Sequence, residues 1–143
     1  MTKEDKELLL KDLYGRLPYN VEMHIKGEYK TPRTIYTVHV EDKTIGYFKG
    51  LDYNEELIEN VKPYLRPMSS MTSEECTQLN VLLPRYFIVT PEHLSCLEHI
   101  NGGIINFEVL DTIIDFYNSH YLDWRRLIPK GLALEATKDM YKF

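Results

Sequence analysis

The sequence predicts an α+β protein, in which an N-terminal helix and a small curled antiparallel sheet precede a mainly helical C-terminal half. Three observations predict this class. Apolar and polar residues alternate in short runs between residues 21 and 48, which is typical of half-buried strands. A helical period dominates residues 107 to 119. No strand–helix–strand alternation is visible, so a doubly wound nucleotide-binding fold is disfavoured.

The length and composition of the chain are those of a globular domain. At 143 residues, we expect one compact domain over residues 1–143. Within it, residues 1–67 form a helix-plus-β subdomain and residues 68–143 a mainly helical one. Hydrophobic residues make up 43% of the chain and charged residues 27%, as in ordinary folded proteins. No apolar run approaches the roughly 20 residues of a membrane span.

The first element is a helix near the N-terminus. Thr2 and Asp5 have the spacing of a capping box, with aspartate in place of glutamate. Gly15 suits the left-handed residue that follows a helix, and Pro18 confirms the stop. The apolar side chains at helical spacing are Leu9, Leu10 and Leu13.

Short strands are expected next, in residues 21–26, 36–40 and 44–48. Glycines lie between or within these runs, which favours a meander or a small barrel of the SH3 type. The side chains expected on the buried faces are Val21, Met23, Ile25, Tyr36, Val38 and Val40. Residues 52–62 are acidic, and we interpret them as a short helical turn or a loop.

The boundaries of the predicted elements are clearer in the C-terminal half. The prolines of "KPYLRP" predict an extended segment. Thr72 and Glu75 form a capping box for a helix that runs to about Leu83. A strand at residues 85–89 and a helix from Thr90-Pro91 to residues 101–103 are expected to follow. The strongest signal is the helix at residues 107–119, whose apolar and polar residues separate onto two sides.

The charge of the chain limits its partners. Lysine and arginine number 17 against 22 aspartates and glutamates, for a net charge of -5. Proteins that clamp duplex nucleic acid normally carry a positive surface, because counterion release supplies much of the affinity. Duplex nucleic acid is therefore disfavoured as a partner. The basic C-terminal segment leaves a small phosphate-bearing ligand open.

The sequence signals for a catalytic or metal-binding site are weak. His93, Cys96 and His99 are spaced three apart on a predicted helix, but apolar residues share that side and no second ligand pair has zinc-like spacing. Neither Cys76 nor Cys96 lies in a local nucleophile signature. The sequence has no phosphate-binding glycine loop. We therefore predict no catalytic residue, no metal site and no cofactor.

The stretch "FYNSHYLDWRRL", residues 116–127, concentrates aromatic rings and arginines. One interpretation is the end of a core helix followed by a packed turn, since large aromatic residues are first of all core material. The other is an aromatic shelf with a cationic fork for a planar base that carries phosphate. The segment "KPYLRP" repeats this chemistry. The candidate ligand contacts are Tyr64, Arg66, Tyr121, Trp124, Arg125 and Arg126.

Three segments carry a resemblance to a known group of proteins. They are "MTKEDKELLLKDLYGRLPYNV" at the start, "VKPYLRPMSSMTSEE" in the middle and "DFYNSHYLDWRRLIPKGLALEA" near the end. Together they resemble an uncharacterised family of small proteins from prophages and mobile elements of gut bacteria. The resemblance implies a phage or mobile-element origin. It supplies no catalytic residues. The two cysteines cannot form a disulfide framework of the secreted type, so we expect a location in the reducing cytoplasm of the bacterial host.

These observations lead to a functional expectation with two alternatives. The first is a non-enzymatic binding protein, directed against host defence, that sequesters a small anionic, nucleotide-like signal. The second is an interaction module that inhibits or adapts a host protein through the sheet half or its edge. The third is a cysteine- or metal-dependent hydrolase that uses Cys96 with His93 or His99. No membrane partner is expected, and a homo-oligomer is compatible with the sequence.

Overall fold

The computed structural model describes residues 1–28, 31–83 and 107–141. The chain divides into two compact units. The first unit comprises residues 1–65 and 125–143, and the second comprises residues 66–124. Each unit has its own set of buried apolar side chains. The expectation of one compact domain stays a prediction.

The first unit begins with helix α1 (Lys3–Arg16). The Thr2 hydroxyl accepts a hydrogen bond from the Asp5 amide at 3.1 Å, so the predicted N-cap is present. The expected end at Gly15 is wrong, because the chain continues through Arg16 into a 3-10 turn, Leu17–Tyr19, that contains Pro18. The left-handed residue after this turn is Asn20, with φ 54°. The predicted apolar side chains of α1 are all buried.

Seven strands are described, and they form two sheets. Along the chain they are β1 (Glu22–Ile25), β2 (Arg33–Thr34), β3 (Thr37–His39), β4 (Thr44–Lys49), β5 (Asp52–Leu57), β6 (Val61–Leu65) and β7 (Leu134–Glu135). One sheet has the order β2-β1-β6-β7 and the other the order β3-β4-β5. All pairs are antiparallel except β6 with β7. The α+β class is confirmed, and the sheets do not close into a barrel.

Strand β5 corrects the interpretation of residues 52–62 as a turn or loop. Residues 52–57 pair along their whole length with β4, and only residues 58–60 form a 3-10 turn. The register pairs Lys49 with Asp52, so Gly50 and Leu51 form a two-residue hairpin loop. Gly50 has φ 64°, a conformation that this kind of loop requires and that glycine adopts without steric cost. Composition alone does not predict a strand here, because aspartate and glutamate are uncommon in strands.

The burial expected for residues 36–40 is also wrong in part. Tyr36 and Val40 are exposed, while Val38 is half-buried. The strand is only three residues long, and Tyr36 and Val40 flank it. By contrast, Val21, Met23 and Ile25 are buried as expected.

The second unit contains helices α2 (Ser73–Leu82) and α3 (Phe107–Ser119). The capping box predicted at Thr72 and Glu75 is confirmed, with both of its hydrogen bonds present. One face of α3 is buried against α2 and the turns around it. The buried cluster consists of Met71, Cys76, Leu79, Leu83, Val109, Ile113, Phe116, Tyr117 and Leu122. The predicted strand at 85–89 and the helix that follows it lie outside the described residues.

None of the helices described here is long and apolar enough to cross a membrane.

Candidate functional site

The outer face of the three-stranded sheet is the most exposed apolar surface among the described residues. Ten large hydrophobic residues are exposed within residues 1–28, 31–83 and 107–141, and six of them lie in or beside strands β3 to β5. These six are Tyr36, Val40, Phe48, Leu51, Tyr53 and Leu57. We call the surface formed by Tyr36, Phe48, Tyr53 and Leu57 the aromatic face. Phe48 contacts Tyr36 and Tyr53, and Leu57 lies further along the same side of β5, beyond Glu55. Clustered exposed apolar residues mark binding sites more often than scattered single residues do.

Within the aromatic face, the Phe48 ring contacts two other rings. Phe48 packs edge-on against Tyr36, with ring centroids 4.8 Å apart and an interplanar angle of 76°. It also meets Tyr53, its partner across the β4–β5 ladder, at 5.6 Å and 67°. Edge-to-face pairs of this geometry are favourable and hold the rings in place. Because 43% of Phe48 and of Tyr53 and 61% of Tyr36 remain exposed, these rings form a preformed surface rather than a core.

Gly46 positions Tyr53. It lies in the middle of β4, opposite Thr37 of β3 and Glu55 of β5. A Cβ atom at this position would overlap the hydroxyls of Thr37 and Tyr53 and would come within 2.7 Å of the Tyr53 ring carbon Cζ. The missing side chain therefore provides the space across which the Tyr53 ring lies. A glycine within a strand often marks such a close approach.

The Tyr53 hydroxyl is the centre of a polar cluster that spans all three strands. It lies 2.8 Å from Thr37 Oγ1 and 2.9 Å from His39 Nε2, and it donates to Glu55 Oε1 at 3.1 Å. His39 Nε2 is also 3.1 Å from Glu55 Oε1. These contacts fix the tyrosine ring at its polar end, while Phe48 fixes it at the apolar end. The arrangement is that of an ordered recognition surface, with an apolar part and a polar part side by side.

The residues predicted as ligand contacts fall into both units. Arg66, Tyr121 and Trp124 belong to the second unit, whereas Tyr64, Arg125 and Arg126 belong to the first. The structure brings Arg66 and Tyr121 together, since the Arg66 amide donates to the Tyr121 carbonyl at 2.8 Å. Their assignment as ligand contacts stays a prediction. The hydrogen bonds that these residues make inside the protein determine whether they are available to a ligand.

Arg66 uses all five of its N–H donors inside the protein. Its guanidinium binds the Glu75 carboxylate with two bonds, of 2.7 and 2.9 Å. The remaining donors bond to the hydroxyl and carbonyl of Ser70 and to the His120 carbonyl at the end of α3. Arg66 therefore ties together the turn before α2, the N-terminus of α2 and the C-terminus of α3. To bind a ligand phosphate, it would have to give up some of these bonds.

Glu75 is the anionic partner in this arrangement. Burial by itself would raise the pKa of its carboxyl, but the hydrogen bonds from Arg66 and from the Thr72 amide outweigh burial and lower the pKa below its usual value. The carboxylate is thus ionised at neutral pH and neutralises Arg66 locally. An arginine held in this way is a structural element first.

Tyr121 and Trp124 complete the end of α3. The Tyr121 amide donates to the Asn118 carbonyl, and the Leu122 amide donates to the Tyr117 carbonyl. This is the Schellman pattern, in which the residue at the left-handed position is usually glycine. Here it is Tyr121, with φ 60°. Trp124 packs against the buried cluster of the second unit, and its indole donates to Asn118 Oδ1 at 2.9 Å.

The remaining three candidates belong to the first unit. Arg125 Nε lies 3.4 Å from Asp12 Oδ1, and the same carboxylate forms a fully buried ion pair with Arg16 at 2.7 Å. Arg126 is exposed and has φ 61°. Tyr64 is half-buried in β6, where its carbonyl accepts a hydrogen bond from Tyr141.

His93, Cys96 and His99 lie outside the described residues. Cys76 is described, and it is 3% exposed within the buried cluster of the second unit. It is a small core residue there, as buried cysteines commonly are.

The second unit also has a groove of about 700 Å³ between α2 and α3. Its volume falls within the range of small-molecule sites, about 300–1,000 Å³. Val81 and Leu82 of α2 line one side of the groove. Asp111 and Asp115 of α3 line the other side, together with His120, which follows α3. Two carboxylates make this groove unsuitable for an anionic, nucleotide-like ligand.

Sequence reasoning missed the aromatic face. The available signal was the glycine hairpin loop at residues 50–51, with tyrosine, phenylalanine and leucine near it. Without the pairing of β4 with β5, nothing in the sequence shows that Phe48 and Tyr53 lie on one face. Comparison of the chain with protein-family models, curated proteins and solved structures finds no match.

Proposed function

We propose that this protein is a non-enzymatic binding protein, and that the aromatic face of strands β3 to β5 docks a partner protein. The proposal follows the second alternative from the sequence, an interaction module that acts on a host protein through the sheet. The resemblance to prophage proteins is the reason to look for that partner in the bacterial host.

One observation carries the proposal. Phe48 contacts both Tyr36 and Tyr53, and the three residues still remain between 43% and 61% exposed. Aromatic residues dominate the binding energy of protein interfaces when they sit near the centre of the contact. Rings that are already ordered lose little conformational entropy when a partner binds.

The geometry favours a protein over an anionic ligand as the occupant. The polar cluster beside the rings contains Glu55 and no arginine or lysine. Among the sequence-predicted contacts, the guanidinium of Arg66 is occupied by Glu75, and that of Arg125 lies beside Asp12. Arg66 is therefore neutralised by its own carboxylate, whereas Arg125 shares Asp12 with Arg16. Recognition of phosphate by either arginine would have to compete with these carboxylates.

The test is mass spectrometry of the protein purified under native conditions from host bacteria. We would compare the wild type with a face variant, Phe48→Thr with Leu57→Thr, and with a control variant, Val81→Thr with Leu82→Thr. The control removes hydrophobic side chains that are even more exposed, at 80% and 61%, from α2. We expect one identified polypeptide, in fixed stoichiometry, with the wild type and with the control but not with the face variant.

Three results would overturn the proposal. The first is a polypeptide that both variants retain or that only the control loses. The second is a nucleotide released on denaturation of an otherwise empty protein, which would favour the sequestration alternative. The third is a wild-type protein that carries no polypeptide although circular dichroism shows that the wild type and both variants are folded.

A further inference from the structure

Strand β5 is an edge of the three-stranded sheet. It pairs with β4 through six residues, from Lys49 with Asp52 to Thr44 with Leu57. Among the described residues, no strand pairs with its other side. An edge of this kind presents backbone donors and acceptors to which a further extended segment can bind.

The edge is strongly acidic. Asp52, Glu55 and Glu56 lie within its six residues. Within the described part of the chain, none of these carboxylates lies within ion-pair distance of a lysine or arginine, although His39 approaches Glu55. Lys49, opposite Asp52 in the ladder, pairs with Glu28 at 3.3 Å. Among the described residues, the carboxylates of β5 therefore form no direct ion pair with a lysine or arginine.

The apolar side chains of β5 belong to the aromatic face. Tyr53, Glu55 and Leu57 lie on one side of β5, together with Phe48 of β4, and Glu55 stands between the two apolar residues. Leu57 is 50% exposed at the end of the strand. A segment added beside β5 would extend the aromatic face by one strand and would place its own apolar residues against Tyr53 and Leu57.

We infer that β5 receives a basic extended segment of the partner as an added strand, in which lysine or arginine alternates with apolar residues. This inference rests on the proposed function and names the chemistry of the partner. The partner's cations would lie close to Asp52 and Glu56, and its apolar residues would cover the aromatic face.

Charge also argues against other occupants of the edge. A second copy of the chain, paired through β5, would bring two acidic strands together, and like charges across a ladder are destabilising. Nucleic acid and acidic membrane surfaces are repelled for the same reason. Acidic residues on an edge also prevent aggregation. If the acidic residues only protected the edge strand against aggregation, no basic segment would bind to it. The experiment below can detect that outcome.

The probe is an eight-residue fluorescent peptide, acetylated and alternating lysine with valine. Its binding to the full-length protein is measured by fluorescence anisotropy at low salt, about 50 mM, and at high salt, about 500 mM. We expect binding that weakens at high salt. A peptide with glutamate in place of lysine, and one with every second backbone nitrogen methylated, should both fail to bind, since the first reverses the charge and the second removes the ladder donors.

Matched variants locate the site. The double charge reversal Asp52→Lys with Glu56→Lys should weaken peptide binding about tenfold at low salt. Glu4→Lys with Glu7→Lys, on the exposed side of α1, changes the net charge by the same amount and should have no effect. Because Glu56 also accepts a hydrogen bond from Asn60 at 2.7 Å, Asp52→Lys alone serves as the second variant, with about threefold weaker binding.

The outcomes separate this inference from the proposed function. Equal weakening by the β5 and α1 reversals, or equal binding of the methylated peptide, would overturn strand addition. So would the absence of any peptide binding to the wild type. If the face variant described above still loses its polypeptide partner in those cases, docking on the aromatic face stands and only the inference about β5 fails.

Discussion

Replacing Arg66 with methionine tests whether this arginine is a structural tie or a ligand contact. The change removes five hydrogen bonds and leaves the Glu75 carboxylate, whose side chain is 10% exposed, without its cation. Removing one partner of a fully buried pair costs about 3–5 kcal/mol, and exposed pairs are worth at most about 1 kcal/mol. With side-chain exposures of 14% and 10%, we expect a loss of about 2–4 kcal/mol in the free energy of unfolding.

The chain has a single tryptophan, Trp124, and it packs against the buried cluster of the same unit as Arg66. Urea unfolding followed by tryptophan fluorescence therefore reports on that unit. The matched control is Glu75→Gln in the Arg66→Met background. Removing the uncompensated charge should restore about 1 kcal/mol or more, because the two side chains are directly coupled.

The pH dependence of the free energy of unfolding gives a second test of the Arg66–Glu75 pair. The pKa of Glu75 is lowered in the folded state, so its contribution to stability is fully present above the unfolded value, about 4.3, and is lost as pH falls through the folded value. Wild type should therefore lose more stability than Glu75→Gln on acidification below about pH 4.3. An Arg66→Met protein within about 1 kcal/mol of wild type, with the double variant no better, would refute the structural role.

Two further substitutions test single positions. Gly46→Ala should displace the Tyr53 ring, because the added Cβ overlaps the hydroxyls of Thr37 and Tyr53; urea unfolding should show a loss of about 1–3 kcal/mol, and unchanged stability would contradict the packing described. Tyr121→Gly should raise stability by up to about 1 kcal/mol, since glycine adopts φ 60° without a steric cost. A loss of stability on this second change would show that the Tyr121 side chain makes contacts worth more than the strain.

Much of the fold could be predicted because its signals are local. The caps at Thr2 and Thr72 define the starts of α1 and α2 by a hydrogen bond three residues along the chain. The apolar period of residues 107–119 defines α3, and the prolines of "KPYLRP" precede an extended β6. Each of these features depends on residues close in sequence, so no knowledge of tertiary contacts is needed.

The candidate site depends on contacts between distant residues, and these were not predictable. Arg66 and Trp124 have side chains suited to binding a nucleotide, but the partners that occupy them, Glu75 and Asn118, follow from the tertiary structure. Strand β5 is acidic and resembles a loop until it is paired with β4. The exposure of Phe48 could not be foreseen, since an apolar residue in a strand is more often buried.

Site-specific photo-crosslinking tests the central claim most directly. A photoreactive phenylalanine analogue would replace Phe48 on the aromatic face in one sample and Leu82 on α2 in another, each 43% or more exposed. The protein would be irradiated in host cells and its adducts identified by mass spectrometry. We predict one dominant polypeptide adduct at position 48 and none of that polypeptide at position 82. The same adducts at both positions, or none at position 48, would contradict docking on the aromatic face.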